Sequence, residues 1–454
     1  MGVSQPASLT REFAEHLAGL RFDALPPLAV DRSKTCLIDA LGCVLAGVGS
    51  VEAATIRRAL LADGGQGASA VLGTHQSFGA GAAALANGTA GHALDYDDSS
   101  PPMIGHPSVP ILAASLAMAI PGRTSGADLV LAHIAGLEMA ARLGRMLNPS
   151  HYGAGWHATA TLGSFAATIA AAIIIGLDAR QISHAIGIAA SSMGGIRANF
   201  GSMVKPLHAG FAARNGVLAV QLAAQGFIAN DCVLEAQNGF LEVFSGDLEA
   251  CLATEKGELE IVRSGVGIKR YPCCGCTHSA LDALLVLIGR DAPDAGAVQE
   301  ITCTMNALVP DILIHQRPQT PAQAKFSMEY CLAVALLDGQ CGLPQFQADR
   351  VVRRDVQDLL RRVRCIVDPA IPYENGVYPG TVTVFLQDGR RITKGAGKAV
   401  GHPDLPISAA DLEHKFLDCA GRVLEPDKAA QSFEWLARLE DQRSLADLLP
   451  LVSP

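Results

Sequence analysis

Charged and aromatic residues are scarce in this chain. Only 17% of its 454 residues are charged and 5% are aromatic, whereas 49% are hydrophobic. The net charge is -9 and no long run of lysine or arginine occurs, which argues against nucleic acid and membrane surfaces as partners. Alanine and glycine supply much of the apolar character. This composition favours closely packed helices over a sandwich of sheets.

Signals for export are also missing from the sequence. The N-terminus has neither the basic segment nor the apolar segment of a secretory signal. The 12 cysteines are scattered through a long chain, as is typical of reduced thiols, so we expect a cytoplasmic protein. Residues 158–177 are uncharged and long enough to cross a bilayer, but their threonine, serine and glycine content favours a buried central helix.

The hydrophobic pattern divides the chain into two parts. A chain of 454 residues is too long for one core, so more than one domain is expected. Helical patterns bounded by glycine, proline or asparagine dominate the first part, where they cover residues 28–46, 109–119, 126–147, 158–176 and 208–226.

After residue 269 the pattern becomes mixed. Strand patterns, including a hairpin, alternate with helical ones, and helical pattern returns from residue 409. The chain is therefore predicted to be mainly α, with a large all-helical domain (1–265 and 405–454) and a smaller α+β lid domain (266–404). The strand patterns lie at 299–308, 362–367, 380–385 and 390–394, and the helical ones at 278–288, 322–337 and 350–360.

Titratable residues concentrate in one segment of the first part. Residues 87–107 hold three aspartates and two histidines among glycines and prolines, and Pro101 and Pro102 stop any helix. The segment is predicted to be a helix end that opens into a loop, the usual place of catalytic groups on a rigid scaffold. A magnesium-binding acidic motif is the alternative for Asp95 to Asp98, but no second acidic cluster supports it.

Two further segments place cations beside glycine-rich turns. His157 enters an apolar helix at its N-terminal end, which suits a carboxylate ligand, although a packed or capping histidine is the alternative. Lys205 and His208 lie between Arg197 and Arg214 in a region almost free of other charges. A cation in such surroundings either pairs with a carboxylate of the protein or binds an anion, unless it is a solvated surface lysine. Because proline follows Lys205, we expect an extended conformation there, just before a helix.

Cysteine and histidine residues cluster at positions 273–278. Cys273, Cys274, Cys276 and His278 superficially form a zinc or iron–sulfur ligand set, which would fit hydratase chemistry on citrate-like acids. Adjacent cysteines cannot easily bind one tetrahedral ion, and no second cysteine pair lies at the required spacing. We therefore predict no metal at this segment. His278, at a helix start, is better explained as a proton-transfer group.

Four motifs, taken together, resemble the MmgE/PrpD family, which includes 2-methylcitrate dehydratase, cis-aconitate decarboxylase and iminodisuccinate epimerase. The resemblance covers nearly the whole chain. It implies a homodimer whose active site lies between the two domains and uses no metal or organic cofactor. The motifs are Gly91-His-Ala-Leu-Asp-Tyr-Asp-Asp with Gly105-His-Pro-Ser, Lys205-Pro-Leu-His-Ala-Gly, Lys269-Arg-Tyr-Pro-Cys-Cys with Thr277-His278, and Ala324-Lys-Phe-Ser-Met-Glu-Tyr330.

The resemblance also implies roles for individual residues. Lys205 and His157 would bind carboxylates, and Ser99 would donate a hydroxyl. The decarboxylase-like pattern has threonine in place of Ser99, and the loop here is one residue longer, so the substrate is left open. The remaining implied site residues are His106 and His278 as acid and base in either order, Asp95 to orient a histidine or hold a substrate hydroxyl, and Tyr330 to close the site from the lid and donate a proton.

The activity implied is that of a cofactor-free lyase or epimerase. Such an enzyme moves a proton at a carbon next to a carboxylate of a small di- or tricarboxylic acid, and histidine suits this step because its pKa lies near working pH. A 2-methylcitrate dehydratase-like enzyme is the default, with an iminodisuccinate epimerase-like or cis-aconitate decarboxylase-like enzyme as the alternatives. A protein that only binds polycarboxylates or acts as a scaffold is the alternative from another class. The intact set of aspartate, lysine and histidine residues argues against it.

Overall fold

Apolar helices form the larger part of the protein. The computed structural model describes residues 8–244, 257–291, 293–372 and 376–454. In chain order the helices begin with α1 (Leu9–Gly19), α2 (Pro27–Gly47), α3 (Val51–Ala62), α4 (Ala80–His92), α5 (Ser108–Met118), α6 (Gly126–Leu147), α7 (Ser150–Gly153), α8 (Ala158–Ile175), α9 (Ala179–Ala190) and α10 (Val204–Ala224).

The uncharged helix α8 lies in the middle of this bundle. It packs against α5, α6, α9 and α10. It is long and apolar enough to cross a membrane, and the pair α2 and α3, bent by 76°, meets the same test of length and composition. However, 89% of the apolar window of α8 is buried inside the protein. This burial confirms the central helix that the sequence predicted.

Helices α4 and α10 cross at a very close approach. A Cβ added at Gly210 of α10 would lie 2.3 Å from Oγ1 of Thr89 and 2.5 Å from the carbonyl oxygen of Leu85, both on α4. A Cβ added at Gly88 of α4 would lie 2.9 Å from Cα of Gly210. Protein interiors are close-packed, so a larger residue at this crossing would separate the helices. The crossing brings the end of α4 next to the first turns of α10.

A mixed four-stranded sheet forms the centre of the second part. Its strands are β3 (Val298–Met305), β4 (Val363–Val367), β5 (Gly380–Leu386) and β6 (Arg391–Ala396), and a short pair, β1 (Ser69–Ala70) and β2 (Ser77–Phe78), lies in the first part. The strand order of the sheet is β4-β3-β5-β6, with β3 parallel to β4 and antiparallel to β5, and β5 antiparallel to β6. The predicted strands and hairpin are confirmed, although the first strand ends at Met305 instead of residue 308.

The remaining helices complete both parts. His278–Asp291 packs against β5 and β6 and against Met328–Asp338. The C-terminal helices Ala409–Ala420 and Pro426–Ala437 pack against α2. These elements confirm a mainly α fold with an α+β part. The shorter helices are Phe240–Val243, Glu260–Arg263, Val309–Ile312, Pro321–Ala324, Ala348–Val351 and Arg354–Leu360.

Two large hydrophobic cores and two small clusters hold the described residues together. One large core consists of the bundle helices and the C-terminal helices. The other large core consists of the sheet and the helices on it, and it also takes in Tyr152 and Phe200 from the bundle part. Aromatic side chains of the first part therefore reach into the core of the second. The domain bounds at residues 265 and 405 stay a prediction.

Lys205 does not lie where the sequence placed it. It is inside α10, which begins at Val204, and not in an extended segment before the helix. Pro206 is tolerated because the backbone nitrogens of a first helical turn have no intrahelical partner to lose. This helical position fixes the direction of the Lys205 side chain.

The helix predicted at residues 322–337 is broken in two. The structure has Pro321–Ala324 and then Met328–Asp338, with Ser327 accepting a hydrogen bond from the backbone N–H of Tyr330 as the second N-cap. A serine oxygen that satisfies such an N–H starts a helix at its own position, which a hydrophobic pattern alone does not show. Lys325 and Phe326 lie in the break.

Candidate active site

The loop that follows α4 turns its carboxylates inward. The helix ends at His92, as the sequence predicted, and Asp95 then adopts a left-handed backbone conformation with φ 53°. Such a conformation is uncommon for a residue other than glycine and is typical of functional sites. Asp95, Asp97 and Asp98 are at most 3% exposed. Buried carboxylates need partners, and those of Asp95 come from distant parts of the chain.

Two lysines share one oxygen of Asp95. Oδ1 lies 2.9 Å from Nζ of Lys205 and 2.8 Å from Nζ of Lys269, which also donates to the backbone carbonyl of Asp95. Burial alone would raise the pKa of Asp95, but the two ammonium groups outweigh it and hold this pKa well below its usual range. Burial would lower the pKa of Lys269, yet Asp95 and Asp97 raise it. Two cations on one carboxylate leave positive charge available for an anionic ligand.

His92 holds Lys205 in place. Its Nδ1 lies 2.9 Å from both oxygens of Asp97, and its Nε2 lies 2.9 Å from Nζ of Lys205. An ammonium group can only donate and a carboxylate can only accept, so Nδ1 carries the proton and Nε2 accepts. Burial lowers the pKa of His92, opposed by Asp97 and assisted by Lys205. The ring is therefore a neutral acceptor for Lys205.

His106 and His157 lie beside this group. Their ring centroids are 4.7 Å and 5.8 Å from that of His92 and 6.4 Å from each other. Nδ1 of His106 lies 2.5 Å from the carbonyl oxygen of Asp98, to which it must donate, so a neutral His106 has its lone pair on Nε2. Burial and the ammonium group of Lys269 hold the pKa of His106 well below its usual range. His106 therefore presents an acceptor or base.

His157 begins α8, as predicted from the sequence. It is the N-cap residue and 1% exposed, and its Nδ1 lies 2.9 Å from Nδ1 of His208. Burial, followed by the positive charge of Lys205, holds the pKa of His157 well below its usual range. In the described part of the chain, the side-chain hydrogen bonds of His106 and His157 use only Nδ1. Nε2 of each ring is left for a ligand.

Two adjoining cavities run along these side chains. The inner one has a volume of about 50 Å³ and an outer one of about 120 Å³ shares His106 and Lys269 with it. Both have walls from the bundle and from the sheet part, so they lie between the two. The inner cavity is lined by the polar residues Asp95, His106, His157, Lys205 and Lys269 and the apolar residues Ile104, Phe200, Ile312 and Phe326, among others.

Ser99 and His278 line the outer cavity. The backbone of Ser99 exchanges two hydrogen bonds with Gly267, at 2.8 Å and 2.7 Å, which fixes this wall. Nε2 of His278 lies 3.2 Å from the carbonyl oxygen of Cys273, to which it donates. The structure thus brings six of the predicted residues to the two cavities, with His278 apart from the three clustered imidazoles.

Tyr330 is the predicted site residue that the structure does not bring to either cavity. Its side chain is fully buried in the core of the sheet part. Its hydroxyl donates to the carbonyl oxygen of Gln345, and burial raises its pKa. A phenol with its one proton used in this way is not placed to donate to a ligand between the two parts.

Sequence reasoning missed several groups that the fold brings to the site. Lys269 and His92 stand inside recognised motifs, but their pairing with Asp95 and Lys205 depends on contacts across more than 100 residues. Lys325 lies in the broken helix, and its Nζ donates to the carbonyl oxygen of Ala93 at 2.7 Å. Burial lowers the pKa of Lys325 to about 8. The sequence signal that could have identified them is a lysine placed among apolar residues.

The donor chemistry favours an anion over a metal ion at the imidazoles. One ring nitrogen from each of His92, His106 and His157 lies within 4.8 Å of the others, a spacing that could suit a metal. However, Nε2 of His92 accepts from the ammonium group of Lys205 and its Nδ1 donates to Asp97, so neither nitrogen is available to a metal ion. The ammonium groups of Lys205 and Lys269 suit carboxylates instead.

A second sulfur cluster differs from the one considered in the sequence. Sγ atoms of Cys273, Cys331 and Cys341 lie within 4.8 Å of one another. Only Cys273 belongs to the predicted segment, and it contacts the hydroxyl of Thr277 at 3.0 Å. Burial holds the pKa of Cys331 well above its usual range, which opposes the thiolate form that a metal ion requires. Burial would also raise the pKa of Cys273, but hydrogen bonds from Cys331, Cys341 and His278 hold it well below its usual range. Cys273 is thus the member of this cluster that favours the thiolate form.

Comparison with known proteins gives matches along nearly the whole chain. The family model of the MmgE/PrpD N-terminal domain matches residues 11–251, and that of the MmgE/PrpD C-terminal domain matches residues 271–441. Cis-aconitate decarboxylase of Aspergillus terreus is 29% identical over 480 residues, covering 98% of this chain and 96% of the relative. The proteins of the same name from Mus musculus and Homo sapiens are 28% and 29% identical, covering 98% of this chain and 93% and 94% of theirs.

Proposed function

The chain belongs to the MmgE/PrpD family of lyases, and we propose that it decarboxylates cis-aconitate or a closely related unsaturated tricarboxylate. Of the reactions that the sequence left open, this is the one that the relatives carry in their names. The observation that carries the proposal is that Lys205 and Lys269 share one oxygen of Asp95. These lysines line the inner cavity together with the imidazoles of His106 and His157 and with apolar side chains.

The reaction requires one proton for each carbon dioxide released. Cis-aconitate bears a carboxylate on a CH₂ group next to its double bond. When the bond to this carboxylate breaks, its electron pair forms a new double bond, and the former double bond supplies electrons to the carbon at its far end. That carbon takes a proton. The products are carbon dioxide and an unsaturated dicarboxylate with the double bond moved by one position.

Lys205 and Lys269 supply the charge that this step needs. Negative charge spreads over the allylic carbons and their remaining carboxylates as carbon dioxide leaves. Ammonium groups already held by Asp95 and His92 do not have to reorganise to stabilise that charge. Two fixed lysines would thus bind the carboxylates that stay on the product.

The apolar side of the inner cavity suits the carboxylate that leaves. Phe200 and Phe326 lie with their ring centroids 5.6 Å and 5.4 Å from Nζ of Lys205, and Ile104 and Ile312 line the same cavity. A carboxylate held there loses its hydration, whereas neutral carbon dioxide loses nothing. This wall would favour cleavage over simple binding.

His157 is the proposed proton donor. Neutral His106 has its lone pair on Nε2, because Nδ1 donates to the carbonyl of Asp98. His157 has no such constraint, since its Nδ1 faces another imidazole. Several substrate carboxylates entering the cavity would favour a protonated His157 beside them. In this assignment His106 lines the inner cavity and is not the proton donor.

The proposal is tested with a panel of acids. The purified chain is incubated separately with cis-aconitate, citrate, 2-methylcitrate and iminodisuccinate, and products are followed by NMR together with released carbon dioxide. We expect cis-aconitate to yield carbon dioxide and dicarboxylate in equal amounts. If no acid releases carbon dioxide, dehydration of 2-methylcitrate would instead favour a 2-methylcitrate dehydratase-like enzyme. Epimerisation of iminodisuccinate would favour an iminodisuccinate epimerase-like enzyme. Binding without turnover would favour the non-catalytic alternative.

A further inference from the structure

A second imidazole lies behind His157, on the side away from the inner cavity. His208 stands on α10 one turn after Lys205, and its Nδ1 lies 2.9 Å from Nδ1 of His157. The two ring centroids are 5.1 Å apart and the planes are tilted by 51°. His208 is 3% exposed and His157 is 1% exposed. The contact is therefore a buried hydrogen bond between two titratable rings.

The pair separates two spaces. His157 lines the inner cavity, and His208 does not. His208 lines a groove of about 410 Å³ on the other side, together with exposed Ser192, Ile196 and Arg214. A ligand in the inner cavity would thus meet His157 alone, with His208 acting on that ligand only through His157.

The geometry of the contact restricts where the protons lie. Two nitrogens that are 2.9 Å apart need one proton between them, so one Nδ1 donates and the other accepts. Burial, with His92 and Lys205 adding to it, lowers the pKa of His208 to about 4. The charged or titratable groups around the pair are Asp95, His92, His106, Lys205 and Lys269 on the cavity side and Arg214 on the groove side. Of these, His92 and Lys205 oppose a charge on His208.

The backbone of Gly195 fixes both rings. Its carbonyl oxygen accepts from the backbone N–H of His157 at 3.0 Å. A Cβ added to it would lie 2.4 Å from Cβ of Ala160 and 3.3 Å from Cδ2 of His208. With φ 132°, it adopts a conformation that side-chain-bearing residues rarely take. A loop packed this closely leaves the rings little freedom to turn.

We propose that His208 is a positioning residue that enables His157 to act as the acid, an inference that rests on the proposed decarboxylation. His208 stays neutral and accepts the Nδ1 proton of His157, so that a protonated His157 directs its Nε2 proton into the inner cavity. In the reaction the Nε2–H bond breaks and a C–H bond forms at the far allylic carbon. The electron pair of the cleaved carbon–carboxylate bond becomes the new double bond, and His157 is left neutral.

A neutral acceptor has a specific consequence for this site. A carboxylate behind His157 would keep the ring protonated in the empty enzyme. An imidazole does not, so His157 becomes protonated only when the substrate brings its own negative charge. The protonated form of His157 therefore appears only when the substrate binds.

Substitution of His208 tests this role. His208→Leu removes the acceptor, and we expect kcat to fall by ~10²-fold with KM little changed and the alkaline limb of kcat moved to lower pH. In His208→Asn the amide oxygen can replace Nδ1, and we expect recovery to within ~10-fold of the parent enzyme. Arg214→Gln, which changes the same groove without touching His157, serves as the control and should leave kcat unchanged.

A binding measurement separates this inference from the proposed reaction. Propane-1,2,3-tricarboxylate has three carboxylates but no double bond and cannot be decarboxylated by this route. In ¹⁵N NMR its addition should convert His157 to the protonated form in the parent chain, but not in His208→Leu. Failure to release carbon dioxide from cis-aconitate would overturn the proposed function while leaving this measurement valid. An unchanged kcat and pH profile in His208→Leu, or equal losses in His208→Leu and His208→Asn, would overturn the role of His208.

Discussion

At the scale of single residues, the site depends on how one carboxylate is shared. Asp95 accepts from Lys205 and Lys269 through the same oxygen, and its other oxygen is buried with no hydrogen-bond partner among the residues that the structure describes. His92 fixes Lys205 from the opposite side. Each ammonium group is therefore positioned by the protein but not fully neutralised. In the proposed reaction a substrate carboxylate completes the pairing.

Lys205→Ala tests the electrostatic part of the account. We expect kcat/KM to fall by at least ~10²-fold, about 3 kcal/mol, because a fixed stabiliser of developing negative charge is lost. Steady-state kinetics on cis-aconitate measures the effect, and circular dichroism checks that the chain folds. Lys394→Ala, at an exposed lysine of β6, is the matched control. Parent-like kcat/KM in Lys205→Ala would exclude Lys205 from the site.

Lys325 predicts a pH dependence. Its pKa is lowered to about 8, so its positive charge is lost as pH rises through that value. We expect kcat/KM for a trianionic substrate to fall between pH 7 and 9, and Lys325→Met to lack this step. The free energy of unfolding changes in the opposite direction and rises with pH, because the unfolded lysine keeps its proton to higher pH than the folded one. The cost of burying the charge is present below pH 8 and is relieved above it.

Two pH series check these signs. One follows kcat/KM and the other the free energy of unfolding, each for the parent chain and for Lys325→Met. The parent should gain stability relative to the variant between pH 8 and pH 10, while its kcat/KM declines. A flat kcat/KM profile across this range in the parent would contradict the charge assigned to Lys325.

At the scale of helices and strands, the site is set by where α4 and α10 meet. The crossing at Gly88 and Gly210 brings His92 at the end of α4 next to Lys205 at the start of α10. The break after Pro321–Ala324 adds Lys325 from the sheet part. These groups of the proposed site therefore lie at helix ends that are packed against other helices. A change at the crossing should affect both stability and the site.

Gly210→Ala tests this crossing. A methyl group there would overlap Thr89 and the backbone of α4, so we expect a loss of about 1–3 kcal/mol in the free energy of unfolding. Urea denaturation measures it, and kcat/KM should fall as Lys205 moves from His92. Gly289→Ala is the control, because no atom of the described ranges lies within 4 Å of its added Cβ and alanine favours the helix His278–Asp291. Equal stability of the two variants would show that the crossing tolerates a side chain.

The local sequence pattern predicts many of the helices and strands. Long apolar runs gave the positions of α2, α6 and α8, and a glycine-centred turn gave the hairpin of β5 and β6. The capping serine at Ser327 and the tolerated proline at Pro206 were missed, because single side-chain contacts decide them.

Part of the site could be predicted from the sequence. Residue patterns pointed to the segment with Asp95 and His106, and to His157, Lys205 and His278, and the resemblance added Ser99; all six line the two cavities. The pairings of Asp95 with Lys269 and of His157 with His208 join residues 174 and 51 positions apart. No local rule yields such contacts. Tyr330 shows the converse, since a tyrosine in a recognised motif lies in a core instead of the site.

At the scale of the whole molecule, we propose a homodimer, as the family resemblance implies. Apolar side chains are exposed near the end of α10, with Leu218, Phe227 and Ile228 at 47%, 56% and 70% exposure. Such a patch is typical of a surface that another chain covers. Light scattering coupled to size-exclusion chromatography should give twice the chain mass of 47.2 kDa. The mass of a single chain at micromolar concentration would contradict a stable dimer.

The central claim is that the enzyme releases carbon dioxide while an imidazole delivers a solvent proton to carbon. Turnover of cis-aconitate in D₂O, with released carbon dioxide and product deuterium measured on the same sample, tests it most directly. The account predicts one deuterium at one carbon of the dicarboxylate for each carbon dioxide, with severe loss of turnover in His157→Gln. Carbon dioxide release without deuterium in the product, or a fully active His157→Gln, would contradict it.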